Sequence, residues 1–351
     1  MVTFSPRRAS LVGAVAFGML LSACESAPEP VVAPPPPPPP PLPALALNSG
    51  VAEAAAVYLA YVQDAAQISS SFANGDEVRQ SLMRAASYEP TQLSRGMVAY
   101  AAVVALQSPE FVNGVRGLAA DPANRDTLVR QIMADPAYAA QLPGAREAAG
   151  LIAAQIQSHG QGVYNAGSAV KQTAYDVQRQ RWSAQHVTDR DARLERARVL
   201  SATPLNPNAD ESVRLLQAAL SGEGLPVQPA EAGPPYTQAV IRGLAIAALA
   251  ALGQAGEDAR ATTESLLNEP VSADCLNFSK LMMMQCLAAS RPHYEEIFCL
   301  GQHIMMDTAQ CVVDAAGTVT PILQSPVLMA QPASVETASA DATSSDAQTP
   351  N

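Results

Sequence analysis

Aromatic residues make up only 5% of this 351-residue chain and charged residues only 15%, against about 25% charged in an ordinary globular domain. Tryptophan occurs once, at Trp182, and histidine only at His159, His186, His293 and His303. There is no HExxH zinc motif, no G-x-S-x-G nucleophile elbow and no glycine loop built to cradle a phosphate. Those gaps leave no catalytic residue and no cofactor to assign. Basic residues are outnumbered 21 to 32, for a net charge of −11, which argues against the basic surface a nucleic acid needs. No apolar run reaches the ~20 residues that a membrane-crossing helix requires. Before Cys275, cysteine occurs only at Cys24.

That early cysteine closes a recognisable segment. Arg7 and Arg8 precede the apolar run Leu11–Leu20, and the small residues Ser22 and Ala23 follow. Residues 1–23 thus have the three-part layout of a secretory signal. The junction Leu21-Ser22-Ala23-Cys24 resembles the lipobox of bacterial lipoproteins at all of its positions. The resemblance implies cleavage before Cys24 and acylation of its thiol and new amine, each chain adding ~0.8 kcal/mol per buried methylene. Enteric-type lipoproteins kept at the inner membrane commonly carry Asp after that cysteine, so Glu25 leans toward the outer membrane, with the chain facing the periplasm. Residues 24–47 then carry Pro28, Pro30, Pro34–Pro41 and Pro43. Each proline removes an amide donor and fixes φ, so this linker reads as a polyproline II stalk.

The remainder is rich in alanine and poor in β-branched runs, which predicts an all-α fold. We expect an irregular multi-helix array that ends in a disulfide-linked αα-hairpin. The segments are a helical subdomain over 48–203, a second over 208–268, a cysteine-rich hairpin over 270–316 and a disordered tail over 317–351. Thr203–Pro207 marks the break between the first two. Helical spacing predicts helices over Val51–Ala73, ended by Asn74-Gly75, then over Asp76–Tyr88 and Thr91–Leu106. Ser108-Pro109, Asp121-Pro122 and Asp135-Pro136 each set a capping side chain before a proline at the first helical position. A helix opening at Pro143-Gly144 is expected to break at His159-Gly160-Gln161-Gly162, with another over Val163–Gln185. Ala209–Leu220, Val240–Leu252 and Glu257–Asn268 follow, the second of them apolar enough to be a buried core helix.

Between Lys171 and Arg198 seven basic residues meet four acidic ones. One reading is contact of Lys171, Arg179, Arg181 and Trp182 with an anionic partner. The other is a solvated helix face with pairs such as Asp189 and Arg193, one turn apart. Cys275, Cys286, Cys299 and Cys311 are even in number, which in an exported protein implies disulfides. The pairs lie almost symmetrically about a turn near Arg291-Pro292, so an antiparallel hairpin predicts nested bonds Cys275–Cys311 and Cys286–Cys299. The pattern is similar to twin-cysteine helical hairpins. At ~100° per residue Cys275 and Cys286 share a face, but Cys299 and Cys311 lie ~120° apart, so the second helix has to bend or hold Cys299 in an irregular turn. Met282–Met284, Met305, Met306, His293 and His303 are soft ligands that copper would accept. Without CxxC spacing, methionine filling an irregular core is the simpler reading and no metal is assigned.

Val213–Gln217, Leu220, Gly224-Leu225 and Ala239-Val240 resemble the small helical peptidoglycan-binding repeat over about 213–245, although Gly243-Leu244 stand where that family places an aromatic and a glutamine. Glu211-Ser212 is faintly similar to the Glu-Ser signature of lytic transglycosylases, without the glycine motifs that follow it there. As a whole the chain resembles the alanine-rich envelope lipoproteins of alphaproteobacteria. The resulting expectation is a non-enzymatic structural, scaffolding or partner-binding protein. It would hold the membrane through its N-terminal lipid and meet an envelope protein or peptidoglycan. An envelope hydrolase is the remaining alternative.

Overall fold

A computed structural model describes residues 41–228 and 230–317. The signal segment, Cys24, most of the proline linker and the tail beyond Gly317 lie outside the described residues. Within them the fold is all-α, with thirteen α-helices and no strand. The first half comprises α1 (Ser49–Ala66), α2 (Gly75–Ala86), α3 (Pro90–Ala105), α4 (Pro109–Leu118), α5 (Pro122–Ala134) and the long α6 (Ala145–Val177). Then come α7 (Arg190–Ala202), α8 (Ala209–Ser221), α9 (Gln238–Ala251), α10 (Arg260–Leu267), α11 (Pro270–Ala289), α12 (His293–Cys299) and α13 (Asp307–Ala316).

Local chemistry sets most of the helix starts. Ser108, Asp121 and Asp135 each accept a hydrogen bond from a first-turn amide, ahead of Pro109, Pro122 and Pro136. The third of these opens only a 3₁₀ segment, Pro136–Gln141. Glu89 and Glu269 do the same with their carboxylates before Pro90 and Pro270, where a negative charge also suits the positive end of the helix dipole. Asn74-Gly75 does not end the first helix; α1 stops at Ala66, and Asn74 instead caps α2. Asn74 Oδ1 accepts from the Glu77 amide at 3.0 Å while Glu77 Oε2 accepts from the Ala73 amide at 2.8 Å, a reciprocal arrangement of the capping-box kind.

At the centre, α3 and α9 are apolar all round and buried along most of their length, flanked by α1 and α6. Alanine and glycine supply much of the surface, so the helices approach closely. One hydrophobic cluster includes residues on both sides of the Thr203–Pro207 break and continues into the cysteine hairpin. That break therefore separates helices and not cores. The end of the expected linker is also tied down: Leu47 is buried, the Ala46 amide donates to Ala250 O at 3.1 Å, and Arg116 donates to Pro43 O at 2.9 Å.

The largest departure from expectation is α6, which runs unbroken for 33 residues through His159–Gly162 and ends at Val177. Its glycines are places of close approach. A Cβ on Gly160 would lie 2.5 Å from Val313 Cγ2, and one on Gly167 would lie 2.7 Å from Met305 Cβ. On the opposite side, a Cβ on Gly301 would lie 2.5 Å from the Lys171 backbone nitrogen and 2.7 Å from Gly167 O. Helix α6 and the second arm of the hairpin therefore meet backbone to backbone.

That arm carries both predicted disulfides, Cys275–Cys311 and Cys286–Cys299, each with Cα atoms 5.7 Å apart. The phase problem is solved between α12 and α13, where Leu300–Met306 forms a π-helix. A π-turn uses one residue more than an α-turn. One residue is worth ~100° of rotation, close to the ~120° by which Cys299 and Cys311 would otherwise miss a common face.

Two tests follow from this packing. Gly301→Ala is expected to lower stability by about 1–3 kcal/mol through overpacking, although alanine is the better helix former. Gly117→Ala, where no atom lies within 4 Å of the added carbon, is expected to raise it by about 0.5 kcal/mol. Urea denaturation of both variants with disulfides intact measures the difference in sign. The second test concerns His159, whose Nδ1 sits 3.3 Å from the buried Tyr58 hydroxyl, beside the Tyr100 ring. Burial lowers its pKa from 6.5 to about 4, so between those values the unfolded chain binds the extra proton. Stability should then fall as pH drops from 6.5 to 4, by about 3 kcal/mol from this group. His159→Phe should lose that component of the pH dependence in acid denaturation.

Candidate functional site

A cavity of about 430 Å³ lies between the C-terminal end of α6 and the cysteine hairpin. Ala174 and Tyr175 of α6, with Gln178 just after its end, form one wall; Tyr294, Phe298 and the Cys286–Cys299 disulfide form another. Tyr175 is 49% exposed. It meets Phe298 edge-on, with ring centroids 6.3 Å apart and planes at 74°. Phe298 in turn meets His303 at 6.1 Å. In a chain with so few aromatics, three rings around one opening is a local concentration, and aromatic residues supply most of the energy of partner contacts.

Cationic side chains neighbour the lining residues but do not themselves line the cavity. Lys171 Nζ lies 5.6 Å from the Phe298 centroid and donates to Gln302 Oε1 at 2.7 Å. Its charge is thus fixed beside the rings without a carboxylate. Arg179 and Arg181 are exposed on the turn that follows Gln178, and neither joins an ion pair among the described residues. Trp182 does not line the cavity: it donates to Gln180 Oε1 at 2.7 Å and its ring lies 6.5 Å from that of His293. The one carboxylate lining the cavity, Glu295, accepts from the Arg291 amide at 2.8 Å and serves as a helix-start cap. Of the residues expected to meet an anion, none lines the cavity, and Lys171 lies nearest to it by contact, over the Phe298 ring. The structure places Arg179 and Arg181 on the turn leading from Gln178 and gives Trp182 a packing role.

The rest of the basic stretch is already engaged. Arg190 donates to Ser290 O at 2.9 Å and Ala288 O at 2.6 Å. Arg193 is buried, paired with Glu296 and hydrogen-bonded to Leu287 O. The expected pair of Asp189 with Arg193 does not form. Asp189 pairs instead with Arg196 at 2.6 Å and Arg79 at 3.3 Å, and the hydrogen bond from Arg196 leads the effects that lower its pKa. Glu296 uses its second oxygen on His293 Nδ1 at 2.8 Å. These groups back a second, polar cavity of about 270 Å³ that Asp76, Arg79, His186 and His293 line. It offers no serine or cysteine nucleophile among its lining residues.

Other sequence features find local explanations. Glu211 pairs with Arg214 and Ser212 Oγ donates to Asn208 O at 2.8 Å, so Glu211-Ser212 is the first turn of α8. The stretch similar to the peptidoglycan-binding repeat divides between α8, which packs chiefly on α1, and α9, which packs chiefly on α3. His303 Nδ1 lies 2.8 Å from Asp307 Oδ2. Among the described residues no group of three or more His, Cys, Asp or Glu side chains is placed to hold a metal ion. Sequence reasoning missed the aromatic cavity. Its trace was the nearness of Tyr175 to the basic run, but pairing it with Tyr294 and Phe298 required the α6–α12 contact. Comparison with protein-family models, with curated proteins and with solved structures finds no match to this chain.

Buried and exposed ion pairs should respond differently to truncation. Arg193→Ala leaves Glu296 buried without its cation and is expected to cost about 3–5 kcal/mol. Arg79→Ala removes only part-exposed pairs and should change stability by less than ~1 kcal/mol. Denaturant midpoints of the two variants check this.

Proposed function

We propose that this is a lipid-anchored protein of the bacterial cell envelope, held through Cys24 with its helical domain facing the periplasm. There it binds an acidic partner protein at the cavity between α6 and α12. The lipobox resemblance at Leu21–Cys24 supports the anchor. Two disulfides are consistent with an oxidising compartment. The observation that supports the binding role is a cavity lined by Tyr175 and Phe298, with Lys171 over the Phe298 ring and exposed Arg179 and Arg181 on the turn after the lining residue Gln178. Rings of this kind act as anchors when a partner side chain fills the space between them. Exposed guanidinium groups steer and orient a segment of opposite charge. The role is that of a scaffold or adaptor, and it asks no chemistry of the site.

Metabolic labelling with a tagged fatty acid is expected to mark the protein, and Cys24→Ser should release it from the membrane. Crosslinking and affinity capture from intact envelopes then test the site. Tyr175→Ala, at an exposed position, should weaken capture of the partner about tenfold. Arg179→Glu with Arg181→Glu should slow association and remove its salt dependence. Retention on purified sacculi that ignores all three substitutions would replace this reading with a peptidoglycan-binding one.

A further inference from the structure

Helix α11 carries the two most exposed large apolar residues of the described chain, Val271 at 67% and Phe278 at 63%, with Leu281 at 51%. They are not scattered. Val271, Phe278 and the half-buried Met282 recur seven and then four residues apart, which sets them in one line along the helix. Leu276, Met283 and Leu287 hold the opposite, buried face. At its N-terminal end the line opens into a cavity of about 370 Å³, walled by Val271, Tyr236, Ala315 and the Cys275–Cys311 disulfide, with Glu269 and Asp314 also on its lining. Val271 therefore belongs both to the stripe and to the cavity.

The chain leaves α13 at the edge of that cavity. Gly317 ends the helix in the left-handed region at φ 72°, and a Cβ on it would lie 2.6 Å from Thr237 Cγ2. The sequence that follows is apolar and uncharged up to Glu336: Val319, Ile322, Leu323, Val327, Leu328 and Met329 fall within a few residues of one another. From Val271 to Met282 the stripe spans eleven residues of helix, or ~17 Å at ~1.5 Å per residue. An extended chain covers that in about five residues, so the segment is long enough. It is also tethered at the stripe's own end. Its effective concentration there is on the order of millimolar, above that of any second copy at ordinary protein concentrations.

We infer that residues 319–329 of this same chain seat on the exposed stripe of α11 and enter the cavity beside Cys275–Cys311. The segment is the occupant of that face. This inference stands apart from the α6–α12 cavity and does not depend on what that site binds.

A photoreactive benzoylphenylalanine placed at position 278 in the full chain tests it, with the same probe at 281 as a second site should the first disturb folding. Both positions are exposed and both disulfides remain in place. After irradiation of dilute monomer and peptic digestion, mass spectrometry should find the adduct within residues 319–329. Ile322→Asp with Leu323→Asp should abolish that adduct. A chain ended at Gly317 should gain fluorescence with a dye that reports exposed apolar surface. A covalent dimer through position 278 would overturn the inference in favour of self-association. Absence of an adduct to 319–329 from both probe sites would overturn it outright.

Discussion

The structure turns on one contact, the backbone-to-backbone crossing of α6 with the π-helical stretch of the hairpin at Gly167, Lys171 and Gly301. Two helices can come this close only where neither has a side chain in the way. The disulfides fix α11 against α12 and α13, and the glycines fix that unit against α6. Neither device replaces the other. A disulfide limits how far two chains separate, whereas a glycine contact sets how near they come and at what rotation. The π-helix joins them, since the rotation that brings Cys299 and Cys311 onto one side belongs to the same residues that present Gly301 to α6. A substitution at Gly301 would thus be felt at both disulfides and at the cavity.

Buried charge is distributed by a second rule, which accounts for much of what looked like a basic patch. Lysine occurs in this chain only at Lys171 and Lys280, and Lys280 is buried. It donates to Ala86 O, at the C-terminus of α2, and to Ser201 Oγ at 3.1 Å, with its ammonium 3.4 Å from the Tyr88 centroid. Burial pushes its pKa well below the usual lysine range, while the carbonyl and the ring favour the charged form. Arg190 and Arg193 act in the same manner on the last carbonyls of α11. Helix C-termini leave orphan carbonyls and a partial negative charge. Here cations from neighbouring helices answer them, which ties α2, α7 and α11 together through groups that no helix could satisfy alone.

How much could be read in advance follows from the range of each signal. Caps and prolines act within four residues, so Ser108 and Asp121 announced their helices directly. The pairing of Cys275 with Cys311 needed only symmetry about a turn. The glycines of α6 were misread because a glycine in a helix means a break or a close neighbour, and only the neighbour decides which. Gly160 and Gly167 lie opposite Val313 and Met305, far along the chain. Arg193 had an acidic residue one turn away in Asp189, yet burial against α12 placed Glu296 within reach instead. A buried cation takes the partner that can be desolvated with it, and sequence spacing does not report that. The phase mismatch at Cys299 and Cys311 was visible as a mismatch, but its remedy, a π-segment, lay in hydrogen bonding that no residue pattern specifies.

The same geometry explains why rings gather where they do in so alanine-rich a protein. Around α3 and α9 the helices are close enough for alanine and glycine to fill the space between them. Past the Gly167–Gly301 contact α6 continues against α12, and larger side chains, Tyr175 and Phe298, stand where the small ones stop. Tyr175 lies one turn beyond Lys171, and Phe298 lies before Gly301 on an arm that crosses α6 there. The two rings meet edge-on over the space between the helices. They cover part of it and leave the rest as the cavity. Rings that filled that space completely would make it core, and alanines alone would let the hairpin collapse onto α6. The aromatic residues are thus spacers as much as lining, and the opening beside them is what they leave unfilled.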